Sequence, residues 1–296
     1  MASNSFSITL RGKVPRPMHK FRFYLTPKES LEFKVSGFGS DGQHLQLVAS
    51  LPGLVSIKQS ARPKQLEQGV TITAINTGTV AIHARESTAK SGSYLNNCAP
   101  VNDRFGGCFP ILTINIIDTV AMPGNLNPEQ KAMLMVLLAE VKKPTGEGYN
   151  ETNAIKSMQY MRQALYNRLK FSRPDLLDVP RGSQPLIGLI KSGRVIEGFT
   201  GYPILSKKVQ DNIDAFFLAC NTGNSQSFMA YRKLLKEAVK IARGENSGTI
   251  TGELIYGWRT KGKGSPGSNF KYLFDLAGQT FYGLQQKFIT SPMHPN

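Results

Sequence analysis

Acidic residues are scarce in this chain. Twenty Asp and Glu stand against 36 Lys and Arg, giving a formal net charge of +16 over 296 residues. An excess of that size points to a polyanionic partner: nucleic acid, an anionic membrane surface or an acidic cell-wall glycan. No run of 18 apolar residues occurs, so no segment reads as a membrane-spanning helix. The opening stretch MASNSFSITLRGK has no apolar core behind a basic head, so no secretory signal is expected. Histidine is sparse too: His19, His44, His83 and His294 show no ligand spacing, which argues against a metal site, and no cofactor is expected. Hydrophobic residues make up 40 % and charged residues 19 %, values that exclude wholesale disorder, collagen and coiled coil.

Only three cysteines are present. Cys98 and Cys108 flank a short stretch rich in Asn, Gly and Pro, where a disulfide is a candidate in an oxidising compartment. Cys220, in AFFLACN, falls on an apolar helical face and is expected to be a buried thiol.

At roughly 100–200 residues per domain, the length suggests two domains. Residues 1–118 hold seven short alternating or β-branched runs: 6–10, 20–25, 30–35, 44–49, 69–75, 79–84 and 111–117. Their spacing, with SGFGSDGQ, SLPG, NTG and FGG as breaks, predicts a small β-sandwich. The stretch LVASLPGLVSIKQS…VTITAINTGTVAIHA is similar to bacterial immunoglobulin-like modules, and the expected role is a binding or delivery module.

Residues 119–127 read as a linker, after which the pattern becomes helical. Asn127 suits an N-cap, Pro128 the first helical position and Gln130 the capping-box position. Eight successive apolar residues, Ala132 to Ala139, predict a helix buried on nearly all sides. Further helices are expected over about 152–170, with Ala154, Met158, Met161, Leu165 and Leu169 on one stripe, and over 208–220 and 226–243. Both parts are basic, so the charge is not a detachable tail.

Glu140 ends the apolar run AMLMVLLAE. Desolvation behind a buried helix and the negative end of the helix dipole both favour the neutral acid. A general acid near neutral pH needs that state. The alternative is a side chain already turned to water that merely marks the helix end.

The segment LLAEVKKPTGEGYNETNAIKSMQYMRQALYNRL resembles the opening of the cell-wall hydrolase family that includes the spore-cortex-lytic enzymes. Ala139-Glu140 and Asn167-Arg168-Leu169 carry that likeness. Gly278-Gln279-Thr280-Phe281-Tyr282 is similar to the family's closing motif, and IEGFTGYP sits where the family has an aromatic segment. The chain departs from the pattern in lacking Arg-Gly-Glu after the glutamate and in holding Thr280 where His is common.

The resemblance implies a mainly helical, lysozyme-like domain over residues 128–296. That domain would cleave peptidoglycan glycan strands as a muramidase or lytic transglycosylase, with Glu140 as catalytic acid. Among second carboxylates, Glu197 is favoured over Glu147 and Glu151 because apolar and aromatic neighbours flank it. Phe199, Tyr202, Tyr256, Trp258, Gln279, Phe281 and Tyr282 are candidates for sugar binding through flat aromatic faces and amides. Each has core packing as the alternative. Asn167 joins them as a polar group supporting Glu140. The basic loop TKGKGSPGSNFK lacks the phosphate-loop pattern and is expected to contact muramyl or stem-peptide carboxylates.

An enzyme of this kind without a signal peptide implies export by another route, as a type VI secretion effector or in a phage particle. It would act in the periplasm or wall of a target bacterium, with a cognate immunity protein and a secretion-machinery component as partners. Two other readings remain: a non-enzymatic protein that holds an anionic polymer, and a nucleic-acid binder. Scattered basic residues and the lack of a nucleic-acid module weigh against the last.

Overall fold

The computed structural model describes residues 6–9, 21–36, 45–60, 67–86, 112–223, 225–246, 248 and 254–290. Cys98 and Cys108, and with them the disulfide candidate, lie outside the described residues. The chain divides into two compact units. One comprises Met1–Val120 with Ala219–Phe228, the other Ala121–Leu218 with Met229–Asn296.

In the first unit, β1 (Phe6–Thr9), β3 (Ser30–Ser36), β6 (Glu67–Ala74) and β5 (Val55–Gln59) form one sheet in the order β1-β3-β6-β5. A second sheet has the order β2-β8-β7-β4, built from β2 (Phe21–Leu25), β8 (Leu112–Ile116), β7 (Gly78–Glu86) and β4 (Leu45–Ala49). Alternation drives the burial: in β8, Leu112, Ile114 and Ile116 point inward, and in β3 Leu31, Phe33 and Val35 do the same. Those side chains join Val70, Ile72, Val80 and Ile82 in a single core. The expected immunoglobulin-like sandwich is not what forms. Each sheet is mixed, with β1 running parallel to β3 and β2 parallel to β8, while the other pairings are antiparallel. Alternation reports which residues are buried; it carries no information on strand direction.

At the β2–β3 turn the Glu29 carboxylate accepts from the amides of Thr26 (2.9 Å) and Gly223 (2.8 Å). That pairing explains why residues 219–228 belong to this unit.

The second unit is not the mainly helical, lysozyme-like domain expected. Its helices are α1 (Pro128–Glu140), α2 (Glu151–Lys170), α3 (Pro185–Lys191), α6 (Gln286–Thr290) and all but the ends of α4 (Lys207–Cys220) and α5 (Phe228–Arg243), where Ala219, Cys220 and Phe228 count with the first unit. They accompany a three-stranded antiparallel sheet in the order β10-β11-β9, made of β9 (Gly257–Thr260), β10 (Phe270–Leu276) and β11 (Gln279–Leu284). The chain is therefore mixed α/β in this half as well. Ala277 and Gly278 link β10 to β11 with φ of 49° and 79°. Two positive φ values in a two-residue loop match the right-handed twist of the hairpin strands.

Helix α1 carries the capping box expected at Asn127 and Gln130. Ala132, Met133, Leu134, Val136, Leu137 and Leu138 are fully buried, while Lys131 is exposed and Met135 and Ala139 are half-buried, so the helix is enclosed on all but one stripe. Among the described residues no helix is long and apolar enough to cross a membrane.

Truncating a fully buried β-branched side chain costs about 2–5 kcal/mol, against about 0.5 kcal/mol or less on the surface. Ile72→Ala is therefore expected to lower the urea midpoint clearly, while Ile75→Ala, at a site 47 % exposed, leaves it near wild type. Far-UV circular dichroism measures both; equal effects would contradict the core as described.

Candidate functional site

The end of α1 is a helix terminus whose carbonyls have nowhere to go inside the helix. Three donors reach them. The amide of Val141 donates to the Leu137 carbonyl at 3.0 Å. Lys143 Nζ bends back to donate to the Leu138 carbonyl. Gln279 Nε2 donates to the Glu140 carbonyl at 2.9 Å from the start of β11. The backbone of Glu140 is thus pinned to the sheet, and its side chain is left to face a cleft.

That cleft has a volume of about 710 Å³ and holds both Glu140 and Glu197 in its lining, with Trp258 and Gln279 beside them. Trp258 Nε1 donates to Glu140 Oε2 at 3.4 Å. Burial pushes the Glu140 carboxyl above its ordinary value. The Trp258 hydrogen bond pulls it back, as do Lys143 and Lys208, while the charge of Glu197 pushes it up. Desolvation is the largest of these causes, so the proton is held more tightly than on a free carboxyl.

Glu197 is exposed and sits before Gly198, whose φ of 83° belongs to the left-handed region. A side chain at Gly198 would collide with Ser206 and Val209, so only glycine lets the Glu197 turn approach the start of α4 this closely.

Strand β9 contributes four consecutive residues, Gly257 to Thr260, to the cleft. Successive residues of a strand point to opposite faces, so an unbroken run of four borders the cleft along the strand's edge. This fits the position of β9 at the end of its sheet.

The other expected site residues are distributed differently. Asn167 Nδ2 donates to the Ile255 carbonyl at 2.9 Å and does not border the cleft. It fixes the chain that leads into β9. Phe199 is fully buried and Tyr202 is 7 % exposed, both away from the cleft lining. Tyr256 packs with Phe171, Leu177 and Leu284. Phe281 is enclosed between Tyr160 and Phe274, with ring centroids 5.4 and 5.3 Å away. Tyr282 donates its hydroxyl to the Gly264 carbonyl at 2.9 Å. Glu147 lies outside the lining, and Glu151 pairs with Lys233 at 2.6 Å. Of the sequence candidates, the cleft gathers Glu140, Glu197, Trp258 and Gln279. Among the described residues no cluster of three His, Cys, Asp or Glu side chains is arranged to hold a metal ion.

The cleft also holds Lys263, from the basic loop expected to meet carboxylates, and four residues the sequence reasoning missed: Arg168, Arg194, Lys208 and Arg259. Arg168 is the most telling, being 4 % exposed. Its Nε donates to the Tyr256 carbonyl at 2.6 Å and its Nη1 to the Leu177 carbonyl at 3.1 Å. Burial pulls its guanidinium down to about 10, with Asp178 opposing. A signal existed: position 168 continues the apolar stripe through Met161 and Leu165, and it is Arg168 rather than Leu169 that is buried.

No protein-family model matches the chain, and no curated protein does. Among solved structures there are likenesses to domains 4 and 5 of the S-layer protein SbsC, at 11 % identity over 34 % of this chain and 50 % of that one, with a TM-score of 0.24. Others are to the cysteine protease inhibitor EhICP2 from Entamoeba histolytica, at 12 % over 39 % and 97 % with a TM-score of 0.23, and to Amebosin, at 14 % over 38 % and 96 % with a TM-score of 0.24. The chain spans half the length of the first of these. Likenesses of this degree carry no argument about fold or function.

Because the folded-state pKa of Glu140 lies above its ordinary 4.5, the folded protein binds this proton more tightly than the unfolded chain. The stability it contributes is complete below pH 4.5 and is lost as pH rises through the raised value. Wild type should accordingly lose stability relative to Glu140→Gln across that window, measured by urea denaturation at stepped pH. Trp258→Phe removes a hydrogen bond to the charged form and should raise the carboxyl further, read by NMR titration of carboxyl-labelled glutamate.

Proposed function

We propose that the chain cleaves peptidoglycan glycan strands, with Glu140 as the general acid. The observation that carries this reading is a carboxyl that burial pushes above its ordinary value, anchored through its backbone and opening into a cleft with a second carboxylate. It is supported by the resemblance of the Ala139-Glu140, Asn167-Arg168-Leu169 and Gly278–Tyr282 motifs to the cell-wall hydrolase family of the spore-cortex-lytic enzymes.

In this mechanism Glu140 protonates the oxygen that leaves the N-acetylmuramyl residue, and positive charge develops on the sugar ring. The Trp258 indole N–H steadies the carboxylate formed when the proton departs. Two routes complete the reaction. Glu140 takes back a proton from the muramyl 6-hydroxyl, which closes on the ring and gives an anhydro product. Otherwise water attacks, with Glu197 as the base that accepts its proton. The indole face of Trp258 and the Gln279 amide offer surfaces for a pyranose and its N-acetyl group. The substrate lies outside the cytoplasm, so the proposed place of action is the periplasm or wall of a target bacterium. Delivery as a type VI secretion effector fits that place, with an immunity protein that blocks the cleft.

Loss of a general acid costs about 10²- to 10⁴-fold in rate. Wild type is expected to clear a suspension of purified peptidoglycan, and Glu140→Gln to fall by that factor. Equal clearing by both proteins would leave Glu140 without a role and favour a protein that only binds an anionic polymer.

The reactive form is the protonated acid, so activity should fall as pH rises past the Glu140 pKa. Glu197→Gln removes a charge that raises this value, and the falling limb should move to lower pH. Mass spectrometry of the released muropeptides separates the routes, since only transglycosylation yields the anhydro sugar.

A further inference from the structure

We propose that the cleft contains a carboxylate-binding subsite, formed by Arg168, Arg259 and Lys263, which grips acidic groups carried by the glycan strand. The inference rests on the glycan-cleaving reading and specifies what the strand must bear: a neutral N-acetylated glycan would leave this subsite empty.

Arg168 supplies the fixed element. Its Nε and Nη1 are held by the Tyr256 and Leu177 carbonyls, so the guanidinium plane cannot swing. Its acidic neighbour, Asp178, stands 3.8 Å from Nη1 and also pairs with Arg194 at 3.2 Å. Nη2 has no protein acceptor among the described residues, and Arg168 borders the cleft. A buried guanidinium with one uncommitted N–H edge suits an anionic oxygen, the acceptor to which it bonds most strongly.

Gly257 keeps that edge reachable. A side-chain carbon at this position would come 3.4 Å from Arg168 Nη2, between Phe270 and Pro266.

Arg259 and Lys263 bring further positive charge to the same cleft. Both are exposed, and neither has an ion-pair partner among the described residues. Arg259 comes from the edge strand β9. Lys263 follows in the turn closed by its own amide donating to the Thr260 carbonyl at 3.0 Å. With Arg194 and Lys208 the lining holds five cations against two carboxyls, one of which burial biases toward neutrality. A neutral polymer draws no benefit from that imbalance, whereas a strand bearing carboxylates does.

The carboxylate has two possible sources: the stem peptides, or the lactyl group freed when a stem is removed. The test measures binding of the full-length Glu140→Gln chain to three forms of peptidoglycan, each immobilised on a surface. These are intact material, material whose carboxyls have been converted to neutral amides with carbodiimide and ethanolamine, and material stripped of stems by an amidase. Affinity is expected to weaken about tenfold on the amidated form. Adding Arg259→Ala and Lys263→Ala should weaken binding to the intact form about tenfold and leave binding to the amidated form unchanged. Adding Gly257→Ala alone should produce a smaller, several-fold loss with the same selectivity. Tight binding to stripped material assigns the group to the lactyl carboxylate, and weak binding assigns it to the stem; both support the subsite.

Equal affinity for intact and amidated material overturns the proposal, and this arm needs no variant to fold. So does an equal loss on both materials in the Arg259, Lys263 variant. The two readings fail separately. Carboxylate-dependent binding without cleavage by wild type sinks the glycan-cleaving function and keeps the subsite. Equal digestion of intact and amidated material by wild type does the reverse.

Discussion

The second unit depends on how a largely buried helix ends. Leu137 and Leu138, near the end of helix α1, are fully buried, and a buried carbonyl left without a donor costs about 1–3 kcal/mol. Val141, Lys143 and Gln279 supply the missing donors. Because one of them is the first residue of β11, the helix end and the sheet are fixed to each other through the backbone of Glu140. A carboxyl at this junction has little freedom except at its own torsions. Glu140 is positioned first by this backbone requirement, and the Trp258 indole then meets its side chain.

Electrostatics at the junction run in two directions. Lys143 and Lys208 favour the charged form of Glu140, and burial with Glu197 disfavours it. Desolvation prevails because one face of the group is closed off by the helix and Trp258, whereas the exposed Lys208 is well solvated and acts through high dielectric. The net result is a carboxyl shifted upward, whose charged form cationic neighbours nonetheless stabilise once the proton has left. An acid that must give up its proton during a reaction gains from both tendencies.

The apolar run and its cap at Asn127 made α1 legible, and the conflict between an apolar helix and a terminal carboxylate singled out Glu140. What sequence alone left hidden was pairing. The stretch 245–286 is rich in glycine and shows no clear strand period, yet it contains β9 to β11. Its hairpin turn, Ala277-Gly278, lacks the Asn-Gly signature that marks such turns, and the six residues of β11 are all buried, so the period-two pattern vanishes. Without the pairing, aromatic residues of the sheet could not be sorted. Phe281 packs inside while Trp258 reaches the cleft, although the register sets them directly opposite each other on β11 and β9. In the first unit alternation located the buried residues, but parallel and antiparallel neighbours impose the same alternation, and an immunoglobulin-like arrangement was expected wrongly.

Why the acid and the basic residues occupy one cleft follows from the edge position of β9. An interior strand has both sides occupied by neighbours and offers a cleft only one side-chain face. An edge strand offers its backbone edge and side chains from both faces at its rim. Trp258 can therefore turn toward Glu140 while the next residue, Arg259, remains in the same cleft, and Gly257 exposes the guanidinium of Arg168 behind it. Three adjacent positions of a four-residue strand thus link proton donation to anion recognition. A shift of one residue in the β9–β11 register would break this link, because it would exchange Trp258 for a neighbour opposite Phe281 and withdraw the indole from Glu140. The bond from Gln279 to the Glu140 carbonyl opposes such a slip, since Gln279 sits opposite Thr260 on the same pair of strands.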